Sequence, residues 1–534
     1  MTQTRLIPWK SILAFATFSF GVLICQYTGN RGVFPIDSFS HFDTGYRILN
    51  GEHAFKDFWI VSGFFVDYLQ SIIFYLLGTN WQTYLLNASL LNGCVSLLFY
   101  FLLNNLGLNF KLSFFYAICF SILAYPSSGT PFVDHHSTFL SFIAVLTLIK
   151  ALQSDKLIFW FLIPIFLFFA FLSKQVPSSY IFISVLILIT LHFTHQEKNN
   201  LIKISLTLLF SSLLMVFCLF IFFKINEIEI NLFITQYFKY PNTIGLERYA
   251  DINYDLKNVF LNFKFIYLAL FFLVYLTFNN LKISKNFSHK NINFKILIIC
   301  LFLFLSFAQH TIVTKNQIFI YFLIPFFLGL ASVQLNLLTE NFKKYLNIFF
   351  VVFCLGITIK YHYRFNIDRK FHELQNIPIS QATNSNMLSE KFEGLKWITP
   401  HSKNIEDSIL EIKLLNNFKD ILKQDQEKKI VLTNYSFFSA ISNQNLGGFS
   451  RWYPGDNSAF PTQGNLYLKD YKDLIIKILK KRKIKSIYIL PDINESNLIN
   501  YVDPKCFDKQ RIEFEIIKYV INNKCDDLFL WKKN

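Results

Sequence analysis

The chain has 534 residues, 53% of them hydrophobic, with 65 Phe, 26 Tyr and a formal charge of +16. Its apolar residues gather in runs of roughly 20 residues up to about position 361 and then stop, which excludes a string of soluble domains with evenly polar surfaces. In such a chain the basic excess marks cytoplasmic loops and anionic headgroups, so no nucleic-acid partner is expected.

A bilayer core of about 30 Å takes roughly 20 apolar residues as helix. On that measure eleven spans are predicted, at 11–28, 82–105, 112–126, 136–152, 157–173, 176–194, 204–224, 262–278, 295–309, 318–337 and 345–361. The first lacks a small-x-small cleavage site before Asn30 and reads as an uncleaved helix. The apolar stretch 58–78 carries Ser62, Gly63, Asp67 and Gln70 and reads as a helix lying at the interface, a twelfth span being the alternative. Lys and Arg concentrate in alternate short loops, among them those of Lys111, Lys150, Lys156, Lys198, Lys203, Lys343 and Lys344. That alternation puts the N-terminus inside and residues 362–534 outside. The expected fold is an α-helical polytopic protein of the cytoplasmic membrane. A transmembrane domain, 1–361, precedes an extracytoplasmic soluble α/β domain, 362–534.

In the tail, residues 366–390 read as a polar connection. Lys429–Thr433 and Ile484–Leu490 read as strands, and Tyr471–Lys483 as the amphipathic helix between them, an order that suggests a small parallel sheet. Six of the eight Cys lie in apolar runs. Cys506 and Cys525 do not, and an outside compartment permits the disulfide that they predict. Closing that loop is worth roughly 3 kcal/mol in the chain-entropy account.

The segment after the first span holds most of the candidate chemistry. Between Phe34 and Gly78 it carries Asp37, His41, Asp43, Arg47, Glu52, His53, Lys56, Asp57 and Asp67 among aromatic residues. Asp37 and His41, four apart, share a face if 38–49 is helical. The plain alternative is a solvated interfacial helix. The order Asp, His, Tyr46-Arg47-Ile48-Leu49-Asn50-Gly51-Glu52, Lys56-Asp57-Phe58-Trp59, then an apolar stretch closing on Leu77-Gly78, resembles the first outside loop of the glycosyltransferase C superfamily. The likeness is to bacterial relatives of protein O-mannosyltransferases and aminoarabinose transferases. Asp37 matches the catalytic Asp of those loops by its spacing to Arg47 and Gly51. Ser38 stands where an acidic neighbour is usual, and Ser62-Gly63-Phe64 where a Pro pair is usual.

The resemblance implies a sugar donor on a polyprenyl phosphate, an acceptor that is a glycan, lipid or protein, and inverting displacement at the outer face. Asp37 is then the expected base, and Asp134 a second acidic residue that positions acceptor or metal. Asp134 also precedes an apolar run, where it reads equally as a helix cap. Asp37, Asp134 and His135 are the candidates for a divalent metal ion, with His41 as a further donor, and metal dependence stays open. Lys174, His310 and Lys315 sit in short outside turns, suited either to a donor phosphate or to anchoring at headgroups. Arg248, among Tyr237, Tyr240 and Tyr249, pairs with substrate or with the interface. The glycine-flanked stretch Phe449-Ser450-Arg451-Trp452-Tyr453 suits a sugar or a domain contact. A transporter or flippase of lipid-linked sugars is the alternative from another class, and a non-catalytic assembly scaffold a third. Transporters carry paired broken helices in repeated halves, and no internal repeat is visible here.

Overall fold

The computed structural model describes residues 9–125, 129–154, 156–193, 198–283, 291–315, 320–372, 374–375, 377, 379–400, 408–454 and 456–522. Its helices are, in chain order, α1 (Trp9–Gly29), α2 (Pro35–Ser38), α3 (Ser40–Leu49), α4 (Phe64–Leu77), α5 (Trp81–Asn105), α6 (Phe110–Leu123), α7 (Val133–Gln153), α8 (Leu157–Ser173), α9 (Gln175–Phe193) and α10 (Lys198–Ile225). There follow α11 (Ile230–Ile234), α12 (Tyr240–Ala250), α13 (Lys264–Ile283), α14 (Ile292–Val313), α15 (Leu323–Val333) and α16 (Glu340–His362).

Among the described residues eight helices are long and apolar enough to cross a bilayer: α1, α5, α7, α9, α10, α13, α14 and α16. Three more of the expected spans are present as shorter apolar helices: α6, α8 and the segment Ile320–Val333. The fourteen residues of α6 rise about 21 Å. Burial runs against what water would select. α7 is buried over 83% of its apolar window and α10, the most apolar of the eight, over 11%. A helix that is apolar all round and uncovered is stable only in hydrocarbon. α4 makes the same point on one face. It turns Asp67 and Gln70 inward, while Ile72, Tyr75, Leu76 and Leu77 face out.

Close approach between helices rests on small residues, as packing in lipid requires. α1 and α5 meet at Gly21 and Gly93. A Cβ on Gly93 would lie 2.9 Å from the Phe18 carbonyl oxygen, and one on Gly21 2.9 Å from the Cα of Gly93. Asn92 locks the crossing by donating to the Gly21 carbonyl at 2.9 Å and to the Ser121 carbonyl at 3.2 Å.

After α16 the chain builds a mixed sheet in the order β3-β4-β6-β5, apart from a short ladder of β1 (Thr383–Asn384) with β2 (Lys396–Trp397). β3 (Lys429–Leu432) and β4 (Ser486–Ile489) pair in parallel, Lys429 opposite Ser486. The helix Leu468–Arg482 lies between them in sequence. β6 (Ile517–Ile521) joins β4 antiparallel and carries the edge strand β5 (Phe507–Arg511), so the sheet is mixed where strand–helix–strand order suggested parallel. Alternation is poor in β5, where four of five residues are exposed, which is why it escapes a pattern reading. Cys506 is disulfide-bonded, and Cys525 lies outside the described residues.

The tail sits on the segment 34–78. Trp59 N–H donates to the Phe449 carbonyl at 2.8 Å. Lys481 meets Asp57 at 2.6 Å, Arg482 meets Glu52 at 3.6 Å, and Arg451 pairs with Asp67. Two parts of one chain that touch outside the bilayer lie on one side of it, so an even number of crossings separates them. Seven of the eight long helices lie between residues 78 and 363. Were all seven to cross, an odd number of α6, α8 and Ile320–Val333 would have to cross with them.

Candidate functional site

Where the tail, the segment 34–78 and the ends of α7, α9, α12 and α14 converge, they enclose a cavity of about 700 Å³. Asp37 and His41 enter it from α2 and α3, Asp134 from the first turn of α7, and Lys174 from the turn between α8 and α9. Arg248 comes from α12, His310 from α14, and Trp452 and Ser458 from the tail.

Local chemistry explains the placement. Pro35 starts α2, where the missing N–H costs nothing. Its four residues then turn into α3, so Asp37 and His41 reach the same space from successive turns. The Lys174 turn is pinned through its carbonyl, which accepts from Ser137 at 3.0 Å and from Ser178 at 2.7 Å. Gln175 stitches three walls together by donating to the Val61 carbonyl at 2.8 Å and the Tyr237 carbonyl at 2.7 Å.

Asp134 does not cap its helix. Phe132 occupies the N-cap position, and the Asp134 carboxylate instead receives Lys174 Nζ at 2.8 Å on both oxygens and His310 Nε2 at 2.9 Å. Its acceptor capacity is therefore largely used by its two neighbours. Asp37 is the opposite case. It lines the cavity, and its carboxyl takes no hydrogen bond from any described residue. Burial pushes that carboxyl up to about 7, the nearby Asp134 adds to the rise, and Lys174 opposes it. A carboxyl poised near neutrality, unpaired and open to a cavity, has the attributes of a general base. Arg248, half-buried in the wall, forms no ion pair among the described residues. It is the cation with charge to offer an anionic ligand. Phe238 and Tyr249 belong both to the wall and to the exposed surface, at 46% and 47%, and frame a mouth.

Two expected residues fall elsewhere. Lys315 is exposed and off the cavity wall, although its neighbour Thr314 lines it. His135 points away as well: it bonds the Ala124 carbonyl at 3.0 Å and packs on Phe139 at 4.8 Å, because one helical step rotates it about 100° from Asp134. With His135 turned aside and Asp134 occupied by Lys174 and His310, the donors present do not fit a divalent ion. Among the described residues no group of three or more His, Cys, Asp or Glu gathers for one. Asp43 leaves the cavity altogether. It lies 3.7 Å from Arg47, where burial pushes its carboxyl up to about 6 while Arg47 and Ser439 pull it down.

What the residue pattern does not disclose is the support behind His41. Asp67 on α4 accepts from His41 Nδ1 at 2.6 Å and from the Thr44 hydroxyl at 2.5 Å, and its other oxygen accepts from Arg451. All three charged or titratable groups are buried. Gly63, at φ +79°, makes room: a Cβ there would lie 2.6 Å from the Arg451 guanidinium. The one hint in the sequence is an Asp inside the apolar stretch 58–78. Comparison with models of known protein families and with curated proteins gives no match.

Proposed function

We propose that the protein is a membrane glycosyltransferase that moves a sugar from a polyprenyl-phosphate donor to an acceptor at the extracytoplasmic face. The observation that carries this reading is the unpaired Asp37 carboxyl in a cavity shared with Arg248, Lys174 and His310. The resemblance of the segment around Asp37 adds to it. In the proposed step Asp37 takes the proton of the acceptor hydroxyl or amine. The freed nucleophile attacks the anomeric carbon from the face opposite the phosphate, the bond from that carbon to the phosphate oxygen breaks, and configuration inverts. The electron pair leaves on the polyprenyl phosphate, whose charge Arg248 is placed to receive. Lys174 and His310 hold Asp134 rigidly beside that path. The mouth at Phe238 and Tyr249 would let the lipid tail stay in hydrocarbon while its headgroup enters.

The test is incubation of the purified protein with a panel of polyprenyl-phosphate sugars and acceptors, reading release of polyprenyl phosphate. Turnover that is lost in Asp37→Asn supports the reading. Movement of a labelled lipid-linked sugar across a sealed bilayer, with no turnover in any pairing, would replace it with the transporter.

A further inference from the structure

His41 carries a feature that the proposed step leaves unused. Asp67 is paired with the Arg451 guanidinium and is therefore a carboxylate, a group with acceptors only. The 2.6 Å bond from His41 Nδ1 to Asp67 Oδ1 must then be donated by the ring. A neutral ring that donates from Nδ1 presents a lone pair at Nε2. Among the described residues Nε2 meets no hydrogen-bond partner, and His41 is part of the cavity wall. Burial and the Arg451 charge both lower the basicity of the ring, against the pull of Asp67, which favours the neutral form.

We propose that Asp67, anchored by Arg451 of the C-terminal domain, holds His41 in the Nδ1–H tautomer, so that Nε2 accepts a hydrogen bond from a hydroxyl of the ligand beside Asp37. The ligand half of this statement rests on the glycosyltransferase reading; the tautomer does not. Three consequences follow from the chemistry. The site prefers a ligand that donates at that point, a sugar or acceptor hydroxyl, over one that only accepts. Asp67 acts through His41 and is a positioning residue. The C-terminal domain takes part in the site through Arg451, behind the wall, as well as through Trp452 on it.

Asp67→Asn separates tautomer from shape. The carbonyl of the introduced amide would face Arg451, its NH₂ would donate to Nδ1, and the ring proton would move to Nε2. Acylation by diethylpyrocarbonate needs an unprotonated ring nitrogen and reads the change directly. The experiment uses the full chain in lipid nanodiscs, with modification of His41 read by mass spectrometry against His53, which lies off the cavity. His41 is expected to be labelled in the native protein and to lose that labelling in Asp67→Asn. The double variant Asp67→Asn with Arg451→Gln leaves no buried unpaired guanidinium, so it keeps the test open if the single variant does not fold, and it should also lose labelling. A native His41 that resists the reagent, or labelling unchanged in both variants, overturns the tautomer assignment whether or not any sugar is transferred. Where turnover is measurable, His41→Gln should raise KM for the hydroxyl-bearing substrate more than it lowers kcat. An equal fall in Asp67→Asn and in Thr44→Val would instead mark the cluster as structural.

Discussion

Asp37 sets two opposed expectations from one fact. Its carboxyl titrates at about 7 in the folded protein, above the 3.8 of the free group. As a base it works when deprotonated, so turnover should climb with pH through about 7 and level off above. Asp37→Asn should cut it on the order of a hundredfold or more, the usual scale for a positioned base. Stability runs the other way. The folded state holds this proton more tightly than the unfolded chain, so the favourable contribution is complete below about 4 and is lost as pH rises through about 7. Asp37→Asn should therefore melt at a higher temperature than the native protein at pH 8, and the gain should shrink at pH 4. A variant less stable at pH 8 would contradict the unpaired, half-buried carboxyl. Arg248 offers a second handle. A hydrogen bond to a charged group is worth about 1.5–3 kcal/mol, so Arg248→Gln should weaken donor binding by on the order of ten- to a hundredfold in a titration with a polyprenyl-phosphate sugar. Only the gathering of these residues was legible beforehand: an ionisable residue beside an apolar run is costly enough to single out, but its plain readings as cap or headgroup anchor stood beside the functional one. Asp37, His41, Asp134, Lys174, His310 and Arg248 do share one cavity. Lys315 and His135 do not, since neither a place in a turn nor a place next to Asp134 in sequence fixes side-chain direction. The Asp67–Arg451 pair joins residues 384 apart, a distance at which no spacing rule applies.

Helices were the easiest elements to read, and their contacts the hardest. Runs of Phe, Leu and Ile announce a span by composition alone, but they do not say which face meets which neighbour, because lipid and protein interior are equally apolar. The α1–α5 crossing shows the difference. Gly93 meets backbone on contact, while Gly356 on α16 has open space where a side chain would go. Gly93→Leu should lower the melting temperature in detergent and the yield of folded protein, and Gly356→Leu should change neither. Equal tolerance at both positions would mean that α1 and α5 do not pack as closely as described. In the tail, β3 and β4 are each one polar residue followed by three buried apolar or aromatic ones and were visible as strands, whereas the edge strand β5 is too polar to show any period.

At the scale of the whole molecule, the contacts of Asp57, Glu52 and Asp67 with the tail make topology testable without counting helices. Gly51→Cys and Leu466→Cys place thiols at exposed positions of the two touching parts, and Lys111→Cys places one in the exposed first turn of α6. A membrane-impermeant maleimide applied to intact cells should label 51 and 466 and spare 111 until the membrane is opened. Labelling of 51 and 466 from different sides would falsify the docked arrangement.

That arrangement also carries a timetable. Asp67 and its guanidinium partner are separated by 384 residues of chain, and a ribosome adding about 5–20 residues per second needs roughly 20–80 s to span them. Through that interval the nascent protein holds Asp37 and His41, and later α7 as well, yet lacks Arg451 and Trp452. A growing chain is thus kept from completing its own pocket until the portion that carries Arg451 and Trp452 has been made and has settled against the segment 34–78. Under the proposed function, synthesis order alone would keep a half-made chain from acting on the donor.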